Sequence, residues 1–486
     1  MRSVFRLLLL TLLFSAAAVY EALHLSAIFS ADVWWHLRTG LWILQNHAIP
    51  RTGLFSQYSD LPWMASSWGF DVLLAAAYKA FGLRAIPILL MGLKVALAVV
   101  TFLLARVARA DVWTAVFLSA VAQYVIPDLQ PVPSVLSILF FGIELWLLLQ
   151  SRRSGALRSL FWLPPVFALW ANLHIQFVAG LLLLGLFIIA LFLERALRSL
   201  GVTWLSKRIV QLPLAKVSAI AGLSVLCTFV TPYTFHLFPD VMKTLYSPVA
   251  FTYGVEMRSM SFRRPQEFAL MLLVMAAFFA LGRRRSLEVF ELLALVAGTA
   301  IAFRIQRDAW LAVPPAVALL ADGFHWEQVE RKARNYGFRW EKPLCAMLTI
   351  TIFVAAALHL LDRSGLMGKI SQDFPVKACN FIRDNHLPQP LFNTYSWGGF
   401  LIWYLPEYPV AVDSRVDLYG DEILSQYFQV ITGKDRLDTD PSLASARTLL
   451  LERQSGMADA LVRLPALSSQ YRMMYRDDLA AVFVKQ

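Results

Sequence analysis

Residues 6–40 read RLLLLTLLFSAAAVYEALHLSAIFSADVWWHLRTG, and the architecture follows from how this run begins and ends. From residue 7 to residue 29 the chain is almost wholly apolar, long enough for a bilayer core that takes about 20 such residues. It ends on Asp32, followed at once by Trp34 and Trp35, the residue type enriched at the membrane–water boundary. Arg2 and Arg6 before the run, with Ser15-Ala16-Ala17-Ala18 inside it, also resemble a signal peptide. Because apolar character continues towards residue 29, we read an uncleaved anchor with a cytoplasmic N-terminus. On either reading residue 30 emerges on the outer side.

The same pattern recurs down the chain. Of 486 residues, 58% are hydrophobic and 16% charged, with a mean hydropathy of +0.58. A soluble globular chain carries about 25% charge and 45–50% apolar residues. A soluble enzyme, a disulfide scaffold and a disordered chain are thereby excluded. Spans are expected near 7–29, 85–105, 112–128, 132–150, 159–173, 176–194, 213–231, 266–282, 287–304, 307–322 and 344–361. The segment 68–82 is the difficult one, because it has 15 residues and contains Asp71 and Lys79. Counted as a span, it would place Arg152, Arg153 and Arg283 to Arg285 outside. Laid on the membrane surface as an interfacial helix, it leaves eleven spans. Twenty of the 31 basic residues in 1–361 then face the cytoplasm and ten face out, with Lys94 inside a span. The positive-inside rule favours that count.

The formal charge of +11 has the same origin: residues 1–361 carry +13 and residues 362–486 carry −2. Basic residues thus collect in loops that set topology, and nucleic acid is not an expected partner. Cys227, Cys345 and Cys379 have no metal-type spacing. The expected organisation is a polytopic α-helical membrane domain over 1–361, its first outer loop (30–84) carrying interfacial helices, and an extracytoplasmic soluble α/β domain over 362–486. In that last part short β-like runs, Val410 to Asp413 and Thr448 to Leu451, alternate with helical stretches, and Tyr471 to Lys485 reads as a hairpin around Asp477-Asp478. No repeat and no Gly-rich phosphate loop occurs; Gly398-Gly399 is only a doublet entering a helix.

Nearly every unusual polar residue of the membrane part falls on the outer side. Asp32 and His36 are four apart and share a face if helical; a partly dehydrated carboxylate there suits a general base. The plainer alternative is a helix cap beside an aromatic belt. Asn172 and His174, in the turn between two spans, either bind a polar ligand or satisfy turn carbonyls. Arg304 and Arg307 at the outer edge form a phosphate clamp or pair with Asp308 and lipid headgroups, and Arg84 poses the same choice. Glu256 and Arg258, with Arg263-Arg264, belong to a charged outer loop, and Asp128 lies where a span surfaces. Asp413-Ser414-Arg415 reads as a local Asp–Arg network at a strand end.

Together these pieces resemble the GT-C superfamily of integral-membrane glycosyltransferases, which includes protein O-mannosyltransferases and bacterial lipid A aminoarabinose transferases, and most of all a group of uncharacterised bacterial members. The signposts are Asp32-Val-Trp-Trp-His36, Ile49-Pro50, Pro62-Trp63, Ser67-Trp68, Trp170-Ala-Asn172-Leu-His174, Thr231-Pro232-Tyr233, Trp397-Gly398-Gly399-Phe400 and Val412-Asp413-Ser-Arg415. The chain departs from the pattern at Val33, where O-mannosyltransferases have a Glu, and at Thr234, where related sequences have a Gly. The resemblance implies a catalytic Asp32, surface helices after it, an arginine (Arg84) opening the next span, and a polyprenyl-phosphate-sugar donor held by Arg304, Arg307 and Arg84. His36, His174, Asn172, Asp128, Glu256 and Arg258 are the remaining substrate-binding candidates.

Under that reading Asp32 deprotonates or orients an acceptor hydroxyl or amine, and the arginines stabilise charge on the departing lipid phosphate. The acceptor is a lipid, a glycan or a protein. No cofactor is required, and a divalent metal is optional because one carboxylate is a weak site. Such an enzyme belongs in a bacterial inner membrane. Two rivals are a lipid-linked saccharide transporter and a non-catalytic envelope assembly protein; a transporter should carry charges deep in its spans or an internal repeat.

Overall fold

The computed structural model describes residues 2–24, 30–108, 110–126, 129–205, 210–284, 286–323, 341–360, 363–434 and 439–486. Asp128, most of the basic 331–342 loop and the 361/362 boundary lie outside them. The helices up to residue 360 are α1 (Arg2–His24), α2 (Asp32–Asn46), α3 (Trp68–Phe81), α4 (Ala85–Val107), α5 (Val112–Val125), α6 (Ser134–Ser154), α7 (Leu163–Leu173), α8 (Phe177–Ser199), α9 (Leu214–Cys227), α10 (Leu237–Leu245), α11 (Pro248–Tyr253), α12 (Pro265–Gly282), α13 (Val289–Arg304), α14 (Val313–Gly323) and α15 (Glu341–Leu360). Among the described residues, six stretches are long and apolar enough to cross a membrane: 4–23, a continuous 68–107, 134–154, 177–199, 265–282 and 342–359. The chain is a multi-pass membrane protein.

Several expected spans are shorter than their apolar runs, for a local reason. Proline fits the first turn of a helix, where its missing N–H is not needed. Accordingly Pro164-Pro165 opens α7 after a 3-10 turn at Leu157–Trp162, and Pro314-Pro315 opens α14 after another at Gln306–Ala312. At 14 residues, α3 is about 21 Å long and cannot cross by itself. Its N-terminal half is buried against α2 and α7. Buried charge in the helices is also wider than Lys94: Glu21 and Glu144 are buried too, and neither carboxylate oxygen of Glu144 has a hydrogen-bond partner among the described residues.

Beyond α15 come α16 (Arg363–Asp373), α17 (Val376–Asp384), β1 (Leu391–Asn393), α18 (Gly398–Tyr404), α19 (Val416–Ile431), β2 (Thr448–Glu452), β3 (Tyr471–Arg476) and β4 (Ala480–Lys485). The sheet order is β1-β2-β4-β3, with β1 parallel to β2 and the other pairs antiparallel. The hairpin falls where the sequence places it, whereas Val410 to Asp413 forms only an isolated bridge from Val410 to Ser56. Alternate residues of β2 and β4 face different cores: Leu450, Ala480 and Val482 join the helical bundle, while Leu449, Leu451, Ala481 and Phe483 join a second cluster that includes Trp63 and Ala65 of the first loop. Val410 N–H donates to the Phe55 carbonyl and Gln57 N–H to that of Val410, at 3.0 and 2.9 Å. The sheet is thus clamped between the bundle and the first loop.

Candidate active site

α2 starts at Asp32 directly beneath the C-terminal segment. Its buried residues, Val33, Trp34, His36, Leu37, Thr39, Gly40 and Ile43, recur at helical spacing and face α3 and α18. Trp34 is fully buried and stacks on Trp403 at 4.6 Å between ring centres, so it is a core residue and not part of an aromatic belt. The N-cap residue Ala31 offers no capping side chain, but Ser30 Oγ accepts from the Asp32 N–H at 3.3 Å, and Asp32 sits at the positive end of the helix dipole. Its Oδ1 accepts a hydrogen bond from Ser414 Oγ, which in turn accepts from Trp35 Nε1 at 3.1 Å. The 414 loop is held rigidly for this task. Arg415 donates to both oxygens of Asp413 at 2.8 and 2.7 Å and to the Leu54 carbonyl at 3.0 Å, and both side chains are fully buried. The expected Asp–Arg network is present, and it carries Ser414 to Asp32.

His36 lies one turn on from Asp32 but turns to α3, where its Nδ1 is 2.6 Å from Asp71 Oδ1. Close helix approach makes this contact. A Cβ on Gly40 would sit 1.9 Å from the Asp71 carbonyl oxygen, so only glycine lets α2 and α3 meet here.

A cavity of about 480 Å³ opens beside these residues. It is lined by Asp32, His36 and Asp71; by His174 and Gln176 from the turn between α7 and α8; by Asp240, Glu256 and Arg264 from the stretch between α9 and α12; by Arg307; and by Asp417 from α19. One wall is apolar, built from Ile126, Leu129, Val132, Val135, Ile138 and Trp310. His174 Nδ1 lies 2.7 Å from Ser137 Oγ, and burial, followed by the nearby Arg307 charge, holds its imidazole well below the usual histidine range. Arg307 pairs with Asp308 at 3.6 Å, and Gln176 Nε2 donates to Asp308 at 2.6 Å. Glu256 is exposed by area yet enclosed by the cavity walls; that enclosure, and then Asp32, raise its carboxyl. Burial, and then Asp417, push Asp240 up to about 6. Burial also raises Asp417, against the donor Trp63 Nε1 at 2.9 Å.

The structure therefore brings Asp32, His36, His174, Glu256 and Arg307 to one cavity. It sets the other candidates apart. Arg304, at the end of α13, is exposed and does not line it; Arg84 precedes α4 and Arg258 lies between α11 and α12, both off its wall. Asn172 accepts from Trp68 Nε1 at 3.0 Å and donates to the Ala168 and Val230 carbonyls, tying α3 to α7 and to the end of the α9 segment. Sequence reasoning missed Asp71, Gln176, Asp240, Arg264, Ser414 and Asp417 as site residues. Asp71 carried a signal: a carboxylate within an otherwise apolar helical stretch. No three His, Cys, Asp or Glu side chains form a metal-type group among the described residues.

No family profile and no curated protein matches this sequence. Solved structures do. The archaeal oligosaccharyltransferase AglB from Archaeoglobus fulgidus, in complex with an inhibitory peptide and a dolichol-phosphate, aligns over 96% of this chain and 72% of its own with a TM-score of 0.56 and 13% identity. ArnT from Cupriavidus metallidurans, bound to undecaprenyl phosphate, aligns over 97% of both chains with a TM-score of 0.53 and 14% identity. The A. fulgidus enzyme with Zn and sulfate gives a TM-score of 0.51 at 12% identity, over 98% of this chain and 73% of that one. The likeness spans the helical bundle and the C-terminal segment alike, and this chain has the GT-C fold.

Proposed function

We propose that the protein is a membrane glycosyltransferase that moves a sugar from a polyprenyl-phosphate-linked donor to an acceptor at the outer face of a bacterial inner membrane. The observation that carries this is the composition of the cavity. A carboxylate fixed by Ser414 faces a space that also holds two guanidinium groups, Arg264 and Arg307, beside an apolar wall. A phosphate needs cationic partners, a prenyl chain needs an apolar wall, and an acceptor needs a carboxylate to orient it or take its proton. Lipid phosphates bound to two structures of the same fold agree with that division.

In this mechanism Asp32 orients or deprotonates the acceptor, which attacks the anomeric carbon from the face opposite the phosphate. Arg307 and Arg264 stabilise the charge growing on the leaving phosphate. The test is release of sugar from radiolabelled polyprenyl-phosphate sugars by wild type and Asp32→Asn in matched detergent. Turnover by wild type, falling by a factor on the order of 10²–10⁴ in the variant, is expected. Equal turnover by the two removes Asp32 from the chemistry. Lipid binding by both without turnover on any donor favours a transporter.

A further inference from the structure

The Asp32 carboxylate is already engaged, since Ser414 occupies its Oδ1. The histidine one turn away is held differently. His36 is only 4% exposed, its ring stacks on Trp35 at 3.6 Å between ring centres, and Phe70 meets it edge-on at 5.4 Å. Its Nδ1 is bound to Asp71, whose other oxygen, Oδ2, is buried with no hydrogen-bond partner among the described residues. Both residues line the cavity. An imidazole that donates its Nδ1–H in a hydrogen bond to a carboxylate presents the lone pair of Nε2, and the carboxylate stabilises the imidazolium formed when Nε2 takes a proton.

We propose that the His36–Asp71 dyad is the proton acceptor of the reaction, with Asp32 orienting the acceptor group; this rests on the transferase reading above. The acceptor X–H loses its proton to His36 Nε2 as the bond from X to the anomeric carbon forms. The bond from that carbon to the phosphate oxygen breaks, and its electron pair leaves on the lipid phosphate. His36 is the catalytic residue and Asp71 a positioning residue. Of the elements packed on α2, α3 presents Asp71 to His36 and α18 has no charged residue; Asp32 lies on the same helix and His174 across the cavity.

The experiment uses the full chain in detergent, undecaprenyl-phosphate-linked radiolabelled sugars as donor and water as acceptor. His36→Gln should lower kcat by a factor on the order of 10²–10⁴ while undecaprenyl phosphate binding stays as in wild type. The pH profile of kcat/KM separates chemistry from mere packing. Wild type should show an acid limb, and Asp71→Asn should move that limb to lower pH because the imidazolium loses its counter-charge. Wild-type kcat in His36→Gln, or superimposable profiles for wild type and Asp71→Asn, overturns the dyad and leaves the transferase reading standing. If His36→Gln does not fold, the Asp71→Asn profile decides alone. Failure of wild type to turn over any donor removes both the transferase reading and the dyad.

Discussion

Arg415 is buried to the tips of its guanidinium with Asp413 as its carboxylate partner, and Tyr419 OH donates to the same carboxylate at 2.7 Å. Removing one half of such a pair strands the other in a low-dielectric site, which costs about 3–5 kcal/mol. Arg415→Met is therefore expected to lower the unfolding midpoint in detergent strongly, with part of the loss recovered in Arg415→Met/Asp413→Asn. A second residue-scale effect depends on pH. The Asp240 carboxyl is raised from 3.8 to about 6, chiefly by burial and then by Asp417. The native state thus binds this proton more tightly than the unfolded state. The stability it contributes is complete below the unfolded value and is lost as pH rises through about 6. Between these limits wild type should lose stability relative to Asp240→Asn by about 1 kcal/mol after solvent screening. Parallel melting curves for the two proteins across that window would show that the site is better solvated than its neighbours imply.

At the scale of elements, the crossing of α2 and α3 joins fold to chemistry. Gly40→Ala places a methyl group against the Asp71 backbone, which cannot rotate out of the way. Overpacking of this kind costs about 1–3 kcal/mol, and here it also separates His36 from Asp71. Sugar release should fall along with stability, whereas Gly92→Ala, whose added methyl meets nothing within 4 Å, serves as the helix control. How much of this was legible in the sequence differs by element. The long apolar runs gave their helices because burial in lipid and the 3.6-residue repeat act locally, and the Asp477-Asp478 hairpin gave itself through turn chemistry. Asp32 stood out because it ends such a run. Asp71 carried a signal as a carboxylate in an apolar stretch, whereas Asp240, Arg264 and Asp417 did not, because they come from three segments that meet only after α2 and α3 cross and the 414 loop docks. Arg304 and Asn172 are neighbours in sequence to cavity residues, yet Arg304 does not line the cavity and Asn172 braces helices.

Across the whole molecule, α6 links two polar ends. Ser134, Val135 and Ile138 line the cavity at one end. At the other, Arg152 pairs with Glu194 at 2.7 Å, while Arg153 and Arg284 share Asp322 at 3.2 and 3.3 Å and Arg284 also holds Glu291 at 2.8 Å. With 21 residues α6 is about 30 Å long, the thickness of a bilayer core. The arginine-rich end is the one that the positive-inside rule assigns to the cytoplasm, and the proposed function needs the cavity at the opposite, outer face. This orientation can be read with single cysteines in a chain whose three native cysteines are replaced by alanine. Ser154→Cys, exposed beside the ion-pair network, should react with a membrane-impermeant maleimide only after cells are permeabilised. Gln470→Cys, exposed at the start of the β-hairpin, should react once the outer membrane alone is opened. The reverse pattern would put the cavity in the cytoplasm, where the nucleotide-sugar pool would make a lipid-linked donor unnecessary, and the polyprenyl-phosphate assignment would go with it. Labelling of both from one side would mean that α6 does not cross the bilayer, and that the ion pairs at its far end lie at the same surface as the cavity.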